Sequence, residues 1–67
     1  MDYASLLAHI IREAKMRYAE IAPFASPAHV YQEIDDLVTA YQHQYPSIIT
    51  NIAQFTEQVM AGLFGDE

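Results

Sequence analysis

The stretch Ser26-Pro27-Ala28-His29-Val30-Tyr31-Gln32-Glu33-Ile34-Asp35-Asp36-Leu37-Val38 decides the fold. Ser26 offers a side-chain oxygen to the free N–H groups of a helix start. Pro27 follows at the first helical position, where a missing N–H costs nothing. From there Val30, Ile34, Leu37, Tyr41 and Tyr45 recur every three or four residues, with Tyr31 and Val38 alongside, forming an apolar arc of about 120°. The pattern predicts a helix over about residues 27–43 that packs on one side.

Upstream, Pro23 in Ile21-Ala22-Pro23-Phe24-Ala25 cannot donate a backbone hydrogen bond and pushes Ala22 away from helical geometry, so a turn is expected there. Before it, Asp2 is a suitable cap for a helix over about residues 2–20. Tyr3, Leu6, Leu7, Ile10, Ile11, Ala14 and Tyr18 fall within about 140° of one another on that helix, while His9, Arg12, Glu13 and Glu20 fall opposite.

Downstream, Pro46 disfavours helical geometry at Tyr45, and a third helix is expected from Pro46, or from Ser47 as cap, to Phe64, with Gly65 as its stop. On a wheel, Ile48, Ile49, Ile52, Ala53, Phe55, Val59, Met60, Leu63 and Phe64 span about 180°, wider than the other two stripes. The reading is an all-α, small antiparallel three-helix bundle, helices about 2–20, 27–43 and 47–64, in one domain. Helix 3 is expected in the groove between the other two, with its margin near Ile49, Met60 and Phe64 reaching beyond the bundle.

The 67 residues allow a modest core and contain no cysteine, so stability must come from packing or from association with another chain. A hydrophobic fraction of 52% is too high for a disordered chain. Charge is segregated: the net value is -6, and every Lys or Arg lies at Arg12, Lys15 or Arg17. From Tyr18 onward there are seven acids (Glu20, Glu33, Asp35, Asp36, Glu57, Asp66 and Glu67) and no Lys or Arg. Helices 2 and 3 therefore lack the cations that a nucleic-acid reader needs, and the chain lacks the basic face of an interfacial membrane helix. Residues 37–56 carry no charged side chain, but Gln42, His43, Gln44, Pro46, Asn51 and Gln54 make them too polar to span a bilayer. Met1-Asp2-Tyr3 is acidic where a signal peptide is basic, so a cytoplasmic location is expected.

Catalytic material is sparse. His29, Glu33, Asp36 and His43 lie along one exposed stripe of helix 2, where a His–carboxylate pair at i, i+4 has the spacing to chelate a divalent ion. Ordinary pairing on a solvated face accounts for the same spacing, and no cofactor or metal is expected. The chain has no HExxH, nucleophile elbow or phosphate-cradling glycine loop, so it reads as a non-enzyme. The expected function is a protein-interaction module: an adaptor, inhibitor or chaperone-like subunit. Its partner, a protein with a basic surface, would meet Ile49, Met60, Phe64, Tyr31, Tyr45, Asp35 and Asp36. A homodimer closed by the wide stripe is the alternative.

Overall fold

The structure, a computed structural model, describes residues 2–18 and 26–64. The expected turn at residues 21–25, the stop at Gly65 and the acidic tail lie outside these residues. Three helices make up the described chain: α1 (Tyr3–Tyr18), α2 (Pro27–Gln44) and α3 (Ile52–Phe64).

Two of the three expected N-caps form, at Asp2 and Ser26. The Asp2 carboxylate accepts from the Ser5 N–H at 2.8 Å, and the Asp2 carbonyl accepts from the Leu6 N–H at 2.9 Å. That donated hydrogen bond favours the ionised form and holds the Asp2 carboxyl below the usual carboxylate range. Ser26 has extended backbone geometry, and its hydroxyl oxygen accepts from the His29 N–H at 3.1 Å, with Pro27 at the start of α2. At the other end of α2, Tyr45 leaves helical geometry ahead of Pro46 while its N–H still donates to the Tyr41 carbonyl at 2.9 Å.

Helix 3 begins five residues later than Ser47. Residues 46–48 form a turn, closed by N–H groups of Ile48 and Ile49 donating to the Tyr45 carbonyl at 3.1 and 3.0 Å. The β-branched run Ile48-Ile49-Thr50 loses side-chain freedom in a helix. Asn51 immediately after it is a strong cap. The Asn51 side chain accepts from the Gln54 N–H at 3.1 Å, and its carbonyl accepts from the Phe55 N–H at 3.0 Å. The start at Ser47 is thus corrected to Asn51. The apolar arc of about 180° survives this correction, because Ile52, Ala53, Phe55, Val59, Met60, Leu63 and Phe64 span it within α3 alone, and at one edge of it Ala53 and Phe64 are exposed.

All three helix pairs touch, with α3 packed broadly on both α1 and α2 and a narrower contact between α1 and α2. The core comprises Leu6, Ile10 and Ala14 of α1, Val30, Ile34, Leu37 and Val38 of α2, Ile49 of the turn, and Phe55 and Val59 of α3. Each large side chain buried there contributes about 1.5–3 kcal/mol of transfer free energy. Tyr3 stacks edge-on against Phe55, with ring centroids 5.3 Å apart, and donates its hydroxyl proton to Gln58 at 2.7 Å. Further along, the Ile11 side chain lies over Gly62. Early residues of α1 thus meet early residues of α3 and later ones meet later ones, so these two helices run in the same sense.

Candidate functional site

Two surfaces carry the side chains from which a function could be built. The first is the seam between α2 and α3. Thr56, fully buried, directs its hydroxyl toward the half-buried Asp35 carboxylate at 3.4 Å. On α2, Tyr31 lies one turn before Asp35; on α3, Met60 and Phe64 lie one and two turns after Thr56. The hydrogen bond therefore joins the helix face carrying Tyr31 and Asp35 to the face carrying Met60 and Phe64. Tyr31 and Met60 are half-buried, and Phe64 is 52% exposed.

Of the seven expected contact residues, Asp35 is at this seam, and Tyr31, Met60 and Phe64 follow from it by helical spacing on their own helices. The other three are placed elsewhere. Ile49 is corrected from surface margin to core: at 1% exposed, it is turned inward by the turn that replaces the expected first turn of helix 3. Tyr45 ends α2 and packs half-buried against the core. Asp36, one residue on from Asp35 and so about 100° around the helix, is exposed and accepts from Gln32 at 3.4 Å.

The second surface lies between α1 and α2. The Tyr41 hydroxyl donates to the Glu13 carboxylate, whose other oxygen is 3.1 Å from Arg17 Nη2, and His9 Nε2 lies 3.1 Å from the same hydroxyl. The rings of His9 and Tyr41 meet edge-on at a centroid distance of 5.7 Å. With the hydroxyl proton given to Glu13, the phenol oxygen accepts from His9. This cluster corrects the expectation for Glu13 on the wet face of helix 1: Glu13 is half-buried and bonded across the helix pair, while His9 is exposed as expected. The missed signal was Tyr41 itself, because a tyrosine on an apolar stripe must still find a partner for its hydroxyl.

The hydrogen bond to Glu13, then burial, then repulsion from the Glu13 charge push the Tyr41 phenol up to about 12. The neutral phenol is thus favoured by folding. Its contribution is complete below the ordinary value of 10.0 and is lost as pH rises through about 12. Ultraviolet titration should show one tyrosine ionising near that upper value and returning toward the ordinary one in Glu13→Ala. A wild-type protein whose tyrosines all ionise together near the ordinary value would refute the cross-helix bond.

The acidic stripe of α2 gathers nothing comparable. Exposed His29 and partly exposed Glu33 approach at 3.9 Å, and among the described residues no three His or acidic side chains converge on a metal position. No described helix is long and apolar enough to cross a membrane. Every buried side-chain nitrogen or oxygen among the described residues has a hydrogen-bond partner. No family model, characterised protein or solved structure matches the chain. The class is therefore defined by the fold: a small all-α three-helix bundle.

Proposed function

We propose that this chain is a non-enzymatic protein-interaction module of the cytoplasm, an adaptor, inhibitor or chaperone-like subunit whose partner presents a basic surface. The partner docks on the seam between α2 and α3. The observation that carries this reading is Phe64, a large aromatic side chain 52% exposed on the helix face shared with half-buried Met60. Large apolar residues bordered by acids suit a partner with apolar anchors ringed by Lys or Arg. Acidic side chains also set the sign: with a net charge of -6, the chain attracts cationic protein surfaces and repels nucleic acids and anionic lipids.

Size-exclusion chromatography with light scattering, followed by capture from lysate at low and high salt, tests this. The expected result is a monomer that retains one basic protein, loses it at high salt, and loses at least tenfold in affinity on Met60→Ala with Phe64→Ala, about 1.4 kcal/mol. Capture undiminished in a folded double variant would refute the seam. A stable dimer that captures nothing would make the chain a self-assembling unit instead.

A further inference from the structure

The outer face of α1 carries a concavity of about 350 Å³, lined among the described residues by His9, Arg12, Glu13, Met16 and Arg17. That volume is in the range of sites for small ligands. Most of its polar lining is already engaged: His9 meets Tyr41, and Glu13 is held between Tyr41 and Arg17. Arg12 differs. It is exposed and makes no ion pair or hydrogen bond among the described residues. One turn later on the same face stands Met16, 80% exposed and the most exposed large apolar side chain described. With histidine neutral, the lining charges of Arg12, Arg17 and Glu13 leave one net positive charge, inside the short stretch holding every Lys and Arg of the chain.

We propose that this concavity binds a small organic carboxylate bearing a short aliphatic chain, with the carboxylate on Arg12 and the chain along Met16. A bare anion gains little from one exposed cation in water, so the apolar part has to supply binding energy. A guanidinium forks two parallel N–H groups toward a carboxylate, which orients the ligand. The cross-helix cluster fixes His9, Glu13 and Arg17, and Glu13 cannot swing out to neutralise Arg12 without releasing Tyr41 and Arg17. The site is separate from the α2–α3 seam and does not depend on that proposal.

The test is an NMR titration of the full chain, labelled at the methionine methyl groups, with sodium octanoate below its micelle concentration. Met16 should shift saturably while Met60 does not; octylammonium should leave Met16 unmoved, and acetate should move it far less. Arg12→Gln, at an exposed position, should keep the circular-dichroism spectrum and weaken octanoate about tenfold, as expected for a forked charge-assisted contact weakened by solvent exposure. The proposal is overturned by an unsaturable or absent Met16 shift, by equal response to octylammonium or to acetate, by equal movement of Met60, or by undiminished binding in Arg12→Gln. An acetylated Glu-Leu-Leu-Glu peptide that moves Met16 where octanoate does not also overturns it, making the groove a peptide dock.

Discussion

Phe55→Ala is expected to leave this chain largely unfolded at room temperature. Phe55 is the largest fully buried side chain among the described residues, 1% exposed, and sits where α3 meets Tyr3 of α1. Truncating a buried phenylalanine costs about 3–5 kcal/mol, the lost transfer energy plus the cavity left behind. A single core in a domain of this length supplies little more than about that amount in total. No disulfide can compensate, because the chain has no cysteine. Urea unfolding followed by circular dichroism measures the effect, with Phe55→Leu as the reference: it keeps most of the volume and should cost less than about 1.5 kcal/mol. An alanine variant that unfolds at the same urea concentration as the wild type would mean that Phe55 is not at the centre of the core.

Gly62→Val is expected to destabilise the fold by about 1–3 kcal/mol through overpacking, and Ile11→Ala in the same chain should recover part of that loss. The reason is the close approach of α1 and α3 at this point. A Cβ added at Gly62 would lie 2.5 Å from Ile11 Cδ1, 3.1 Å from Cγ1 and 3.3 Å from Cγ2. The Cδ1 atom alone could rotate away. The two γ carbons leave no room for the branched methyls of valine unless the helices separate. Glycine in a helix interior costs about 1 kcal/mol relative to alanine, so its presence in α3 is offset by the packing it permits. A double-mutant cycle on thermal or urea unfolding reads the coupling directly. If the cost of Gly62→Val is the same with and without the Ile11 side chain, the two helices do not meet there.

The same local rules that predicted the helices also mark where prediction stopped. Ser26-Pro27 placed the start of α2, Asp2 capped α1, and Pro46 ended α2 at Gln44, because each of those boundaries depends on one or two neighbouring residues. The start of α3 involved a choice between two local signals, Ser47 after Pro46 and Asn51 after a β-branched run. The structure takes Asn51, which frees Ile49 to turn into the core. That choice also removed Ile49 from the expected contact surface, while Met60 and Phe64, whose positions depend only on helical spacing, stayed on the margin of α3.

By itself, the sequence determined the all-α class, the number of helices, the stripes buried by the first two and the segregation of charge into a short cationic stretch and an anionic remainder. Those properties follow from residue spacing and composition along one chain segment at a time. Only the tertiary structure decided that Tyr41 reaches Glu13 and His9 across 28 and 32 residues, that Asp35 meets Thr56, and that Ile11 rests on Gly62. Such pairings depend on the azimuth and depth at which two helices dock, and hydrophobic burial, which drives the docking, is non-directional. A wheel assigns each residue to a wet or a dry side; it does not say which neighbour stands at the border between them, where the four polar contacts between helices among the described residues lie.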